Sequence, residues 1–193
     1  DSKYAISKIE GENKIKNNFS RAVILKPSIV YSVDDNFTTN FMTLLNRLPI
    51  FPLYYKGGTR FAPIHCSDLT DVIYQVISKN IYSNIVQCVG PEIITFKEIL
   101  RKLLDLMGKK RILFPLPLPL AEISAKFLQI MPNPLLTIDQ LKLLKYDNVA
   151  SDKYKTNSDI GSPPIRYFSE EVKKYCYMWR EGGQFSTEKY KVN

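Results

Sequence analysis

The apolar residues of this chain follow two alternating periods, and the changes between them outline helices and strands. The stretch from the N-terminus to about Asn17 reads as a helix closed by the polar Asn17-Asn18 pair. Ala22 to Lys26 is a strand, and Pro27 ends or loosens its pairing because it carries no N–H. Val33 to Asn36 is a turn. Phe37 to Arg47 has Phe37, Phe41, Leu44, Leu45 and Leu48 at helical spacing, broken by Pro49 and Pro52. Tyr54 to Thr59 reads as a hairpin-like turn, since the paired glycines 57 and 58 allow positive φ. Arg60 to Ile64 follows as a strand, and Ser67 or Asp68 caps a helix over Leu69 to Ser78. Ile85 to Val89 is a strand closed by Gly90-Pro91. Thr95 caps a helix from Phe96 to Met107, with Glu98 in the capping-box position and Gly108 as terminator. Arg111 to Phe114 is a last short strand. Thr137 or Asp139 starts a helix over Gln140 to Leu144, and Phe168 to Tyr177 is one more helix. Strands alternating with helices predict an α/β fold.

Composition narrows the function classes. With 45% hydrophobic and 24% charged residues in 193, the chain has an ordinary globular composition and enough length for a core. The net charge of +8 is spread along the chain without a long basic block, which argues for a solvated basic surface and against nucleic-acid binding. An attraction to anionic lipid or to an acidic protein stays open. Cys66, Cys88 and Cys176 are odd in number and far apart, so no disulfide framework or zinc spacing is expected. The single His65 cannot anchor a multi-histidine metal site, and no metal is expected. The greasiest stretch, 112–131, contains Pro115, Pro117, Pro119, Glu122 and Lys126, which excludes a spanning helix. A buried or membrane-surface helix from Pro119 to Ile130 remains possible.

Candidate chemistry begins at Tyr4 and Lys8. Four residues apart on a helix, they share one face about a turn apart. An ammonium beside a phenol favours its deprotonated form, so the pair can move a proton beside a hydride-transfer centre. Taken alone the motif is weak. With 12 Tyr and 20 Lys, about one Tyr-x-x-x-Lys arises by chance.

Its context is more specific. Ile24-Leu-Lys-Pro-Ser-Ile-Val-Tyr31, Arg60-Phe-Ala-Pro-Ile-His-Cys-Ser-Asp68 and Val89-Gly-Pro-Glu-Ile-Ile-Thr-Phe-Lys-Glu98 follow Tyr4 and Lys8 in order. In order and spacing they resemble the extended short-chain dehydrogenase/reductases of the NAD-dependent epimerase/dehydratase family. Phe114 to Ala121, Leu136 to Lys145, Asp147-Asn-Val149 and Trp179 to Phe185 are similar to one atypical branch. That branch is the nucleotide-binding accessory subunit of respiratory complex I and its bacterial relatives. The resemblance implies the C-terminal part of a Rossmann-type fold with a small α/β substrate domain. It also implies that the N-terminal nucleotide-binding half, with its glycine-rich loop, is absent from this chain. The Ser or Thr that polarises substrate in that family lies upstream too.

On that resemblance Tyr4 is the acid/base and Lys8 its modulator, both touching cofactor. Pro27 and Ile29 lie near the nicotinamide and Arg60 faces the substrate side. Ser32 stands where the family's loop often has Gly. The cofactor is NAD or NADP and requires the absent half. The expected parts are residues 1–35 ending the Rossmann domain, 36–150 as its remainder with the substrate-type domain, and 151–193 as a partner-docking or mobile extension. The expected partners are other complex I subunits, at the cytoplasmic side of a bacterial inner membrane or the matrix side of a mitochondrial one. From residues alone, Arg60 serves equally a substrate phosphate or an ion pair with Asp68 or Asp71. His65 is favoured as a satisfied structural residue, and Trp179 and Phe185 as partner contacts. A free-standing epimerase, dehydratase or reductase using Tyr4 and Lys8, and a nonfunctional fragment, are the other readings.

Overall fold

In the computed structural model, residues 2–117, 119–120 and 138–185 are described. The chain opens with helix α1 (Lys3–Asn18), and the link 19–23 turns it back into strand β1 (Ile24–Pro27). β1 pairs in parallel with β6 (Ile85–Cys88), which pairs in parallel with β9 (Lys155–Thr156), in the order β1-β6-β9. Helix α3 (Cys66–Ser78) is part of the crossover between β1 and β6. Its Val72 is buried with Ile64, Val86, Cys88 and Ile160 in one apolar cluster.

A second, larger cluster lies between α2 (Thr38–Arg47), α4 (Phe96–Met107) and α6 (Phe168–Lys173). In α4 the apolar positions Ile99, Leu100, Leu103 and Met107 recur every three or four residues, and all four are buried. Its ends are set locally. Thr95 Oγ1 accepts from the Glu98 N–H at 3.2 Å, and Glu98 Oε2 accepts from the Thr95 N–H at 2.7 Å. Those bonds to Thr95 hold the Glu98 carboxyl below the usual range. Gly108, at φ +66°, ends the helix in the left-handed region.

Three two-stranded ribbons complete the framework. β2 (Val30–Tyr31) runs parallel to β5 (Ile64–His65). β3 (Ile50–Leu53) runs parallel to β8 (Ile112–Pro115), and β4 (Arg60–Phe61) antiparallel to β7 (Ile94–Thr95). The short helix α5 (Ile138–Leu143) precedes β9.

Several local expectations are corrected. The segment Tyr54–Gly57 is a 3₁₀ turn and closes no hairpin, because β3 pairs with β8 instead of β4. Positive φ falls on Tyr55 and Lys56 as well as Gly57, while Gly58 is in the right-handed region. The expected strand 60–64 is two short strands on different partners, separated by Ala62-Pro63. β8 is followed by a further strand, β9. The predicted 168–177 helix stops at Lys173 and continues as a 3₁₀ turn over Cys176–Trp179. The predicted 119–130 helix lies almost wholly outside the described residues.

Backbone approach is closest at Gly90. A Cβ there would sit 1.7 Å from the Pro63 carbonyl oxygen. Gly11, inside α1, has nothing within 4 Å of that position. Gly90→Ala is therefore expected to cost about 3 kcal/mol or more. Gly11→Ala should stabilise by about 0.5–1 kcal/mol through helix propensity. Urea unfolding midpoints of the two variants check both signs, and a tolerated Gly90→Ala would contradict the packing described.

Candidate active site

In doubly wound sheets, ligands bind beyond the carboxyl ends of the parallel strands. Here that edge is formed by Pro27 and Cys88, paired at the ends of β1 and β6. The short link 19–23 together with the Glu12–Lys26 ion pair requires helix α1 to run back along β1. The N-terminal turn of α1 therefore lies toward the same edge. Glu12 Oε2 fixes the helix to the strand through Lys26 Nζ at 2.8 Å. With a rise of about 1.5 Å per residue, Tyr4 lies about 12 Å along the helix from Glu12.

Tyr4 and Lys8 share a face, with Lys8 Nζ 5.4 Å from the Tyr4 ring centroid. Tyr4 is 57% exposed and no residue of α1 beyond its cap is buried. Neither the phenol oxygen nor the ammonium is hydrogen-bonded among the described residues. Both are free to meet hydroxyl or carbonyl groups of a ligand, which is the chemistry a nicotinamide ribose presents. A pyrophosphate would need backbone N–H groups from elsewhere. Pro27 and Ile29 stay adjacent through the chain. Ile29 packs against the larger cluster, and its carbonyl accepts from the Ile64 N–H at 2.9 Å. Between them Ser28 is buried, donating to the Asn148 carbonyl at 2.8 Å and accepting from the Ala62 N–H at 3.2 Å. No hydrogen bond or ion pair joins the Tyr4–Lys8 pair to Pro27, Ile29 or Arg60 among the described residues.

Arg60 is engaged by a partner that sequence reasoning did not weigh. Asp147 Oδ2 receives Arg60 Nε at 2.9 Å and Nη2 at 2.8 Å, and Oδ1 receives the Arg60 N–H at 2.8 Å. These contacts hold the Asp147 carboxyl below the usual range, the backbone bond most of all. Asp68, one expected partner, is buried and taken by the Arg166 guanidinium and N–H, and Arg166 also reaches Asp71 at 3.3 Å. Trp179 is corrected as well. Its indole donates to Thr43 Oγ1 at 2.9 Å and packs on the larger cluster, whereas Phe185 is 83% exposed.

Asp139 was foreseen only as a possible helix start. Its carboxylate closes the open end of α1, accepting from the Ser2 hydroxyl at 2.9 Å and from the N–H groups of Lys3 and Tyr4 at 2.9 and 3.2 Å. An anion at a helix N-terminus also answers the helix dipole. Lost hydration pulls its pKa up, but the hydrogen bonds and nearby Lys142 outweigh this and hold the carboxyl below its ordinary value. The contribution is present above the ordinary carboxylate pKa, about 3.9, and is lost as pH falls through the lower folded value.

His65 caps α3 in place of the expected Ser67 or Asp68, its Nδ1 accepting from the Ser67 N–H at 3.2 Å. That bond assigns the neutral imidazole's proton to Nε2, which faces Glu171 at 4.0 Å. Burial lowers the His65 pKa, Glu171 and Asp68 oppose this, and Arg166 and Lys174 add to it. Tyr31, edge-on to His65 at 5.2 Å, is pushed far up by burial and then by Glu171, so it stays protonated.

This arrangement shares the fold of Rossmann-type extended short-chain dehydrogenase/reductases, matched over about half the length of each of those chains. It matches a dTDP-4-dehydrorhamnose reductase of Clostridium acetobutylicum with a TM-score of 0.59 and 19% identity, over 89% of this chain and 54% of that one. It matches a dTDP-glucose 4,6-dehydratase of Streptomyces venezuelae, solved with NAD bound, with a TM-score of 0.58 and 15% identity, over 91% of this chain and 50% of that one. In sequence the chain is similar to NADH dehydrogenase (ubiquinone) 1 alpha subcomplex subunit 9, mitochondrial, of Arabidopsis thaliana, 22% identical over 188 residues, 92% of this chain and 46% of the relative. The corresponding Dictyostelium discoideum protein is 22% identical over 194 residues, 96% of this chain and 52% of the relative. The chain thus spans about half the length of the curated relatives it matches. No family model matches it. The resemblance drawn from the motifs is found again in both sequence and fold. No helix among the described residues is long and apolar enough to cross a membrane.

His65 is the only histidine, so its imidazole gives a single NMR signal set. That signal is expected to titrate with a midpoint below about 6.5. Because the folded value is lowered, the associated stability is present above that pH and is lost as pH falls below it. A midpoint at or above it would contradict the burial of the ring. Asp139→Ala should speed amide exchange at Lys3 and Tyr4 about 10-fold. Unchanged exchange at both would show that the carboxylate does not hold the helix end.

Proposed function

We propose that this chain is part of a nicotinamide-dinucleotide-binding accessory subunit of NADH:ubiquinone oxidoreductase, with a structural role and little turnover. The observation that carries the proposal is similarity to subunit 9 proteins over nearly the whole chain. The cofactor, NAD or NADP, is held jointly with the nucleotide-binding half that the longer relatives have room for. Tyr4 and Lys8 supply hydrogen bonds to its ribose and nicotinamide end, and Pro27 and Ile29 form the adjoining wall. The cofactor itself supplies hydride chemistry when bound. A structural role fits Arg60, whose guanidinium is already spent on Asp147 and would have to leave it to meet a substrate. The partners are other subunits of the complex, on the cytoplasmic or matrix side of the membrane that carries it.

A second reading, a free-standing epimerase, dehydratase or reductase, is favoured by one observation: the exposed Tyr4 and Lys8 share the face such catalysis needs. In it Tyr4 exchanges a proton with substrate, and Lys8 favours the phenolate.

The test is native-gel migration of the tagged full-length protein from gently solubilised membranes. Co-migration with NADH-dehydrogenase activity is the expected result, and a free soluble band would overturn the accessory-subunit proposal. Lys8→Met should weaken NADH binding about 10-fold or more while leaving co-migration intact, since it deletes a charged hydrogen bond at the cofactor and nothing at the helix end. Turnover abolished by Tyr4→Phe would favour the second reading.

A further inference from the structure

The β3–β8 ribbon has two different faces. Phe51 and Leu53 point into the larger cluster and its surroundings and are buried. The alternate residues point outward: Ile50 is 54%, Ile112 62% and Phe114 52% exposed. Register places Ile50 opposite Ile112 and Pro52 opposite Phe114, so these four form one contiguous apolar patch. Isolated exposed aliphatics are ordinary, but a paired set on one sheet face is not.

Cations collect where both strands begin. Arg47 precedes β3 by three residues, and Lys109, Lys110 and Arg111 lead directly into β8. Arg111 is anchored, donating to the Leu45 carbonyl at 2.9 Å and the Asn46 carbonyl at 3.2 Å at the end of α2. Lys109 donates to the Asn46 side chain. Arg47 and Lys110 are exposed, and none of the four is in an ion pair among the described residues. The two stretches that build the ribbon, 36–67 and 106–121, contain six Lys or Arg and no Asp or Glu. Four of these six, Arg47, Lys109, Lys110 and Arg111, flank the starts of the two strands.

We propose that this ribbon face docks on the surface of an anionic lipid bilayer. Ile50, Ile112 and Phe114 enter the headgroup boundary, and Arg47, Lys109 and Lys110 meet the anionic headgroups. An apolar strip beside cations is the pattern by which peripheral segments lie on membranes. Two features favour lipid over an acidic protein. Half of the cationic collar is Lys, which is depleted at protein interfaces. The exposed Arg47 and Lys110 also have no side-chain hydrogen bond or ion pair among the described residues, which suits a diffuse anionic surface. The proposal applies equally to an accessory subunit and to a free enzyme.

The experiment is co-sedimentation of the full-length protein with vesicles of phosphatidylcholine alone, or with about a quarter phosphatidylglycerol. Binding is expected only with phosphatidylglycerol, and should weaken as salt rises. Arg47→Glu with Lys110→Glu should lower the apparent affinity more than about 10-fold. Ile112→Ser with Phe114→Ser should lower it comparably at unchanged charge. Lys153→Glu with Lys155→Glu, outside the ribbon and with the same change in net charge, should have a much smaller effect. The His65 NMR signal reports that each variant is folded. Absence of vesicle binding, equal binding to neutral vesicles, or binding that survives both double variants would each overturn the proposal. If vesicles are not bound while the charge variant stops co-migrating with a membrane complex, the face belongs to an acidic protein instead. The native-gel result for the wild type is read separately, so failure here leaves the accessory-subunit proposal standing.

Discussion

β6 is the constraint on which the rest of the structure depends. It is paired in parallel on both edges, by β1 and by β9, so chain segments far apart in sequence must meet along it. Its Gln87 is buried, and a buried amide is costly unless all its groups find partners. Gln87 Nε2 donates to the carbonyls of Ser151 and Tyr154 at 2.7 and 3.0 Å, and Oε1 accepts from the N–H and hydroxyl of Ser151 at 2.9 and 3.2 Å. The fully buried Asn157 answers from the other side. It accepts from the Val89 N–H at 2.9 Å and donates to the carbonyls of Val89 and Ser162 at 3.1 and 3.2 Å. Removing either amide would leave buried backbone groups unpaired, which is why segment 151–162 is held against the sheet rather than merely near it.

That anchoring sets the geometry of the candidate site. Once β6 fixes β1, Lys26 fixes Glu12 and hence the pitch of α1 against the sheet edge. Asp139 then fixes the opposite end of the helix. α1 is thus held by polar contacts at two points and buries almost none of its own surface. A helix with little buried area takes its position from such clamps rather than from packing. Of the two residues of functional interest, Tyr4 stands at the Asp139 clamp and Lys8 between the two, on an open face.

What could be read in the sequence separates by the range of the interactions. The cap, capping box and terminator of α4 depend on residues 95, 98 and 108, and their side-chain types state their roles locally. The α/β class and the Tyr4–Lys8 face were legible for the same reason, since both follow from periodicity. Pairing was not. β3 joins β8 across about sixty residues of sequence, and nothing in the Tyr54–Thr59 turn signals it. The turn itself misled because the strain falls on Tyr55 and Lys56, residue types that seldom take positive φ, next to glycines that offer it freely. Asp147 and Asp139 were hidden likewise. Their partners lie 87 and more than 130 residues away, and a lone Asp in a polar stretch carries no mark of the helix end or guanidinium it will meet.

Charge is distributed to match this division. Some of the acids are consumed internally: Glu12, Asp68, Glu92, Asp147 and Glu171 are all in ion pairs, several of them half-buried or better. Such pairs neutralise what they touch and contribute little field outside. Arg47 and Lys110 are left exposed beside the β3–β8 ribbon, and α1 carries the exposed Lys3, Lys8, Lys14 and Lys16. In the proposed function, the two phosphates of a dinucleotide are met by helix N-termini of a nucleotide-binding half. In that proposal, the chain's own part at that face is to orient the nicotinamide end.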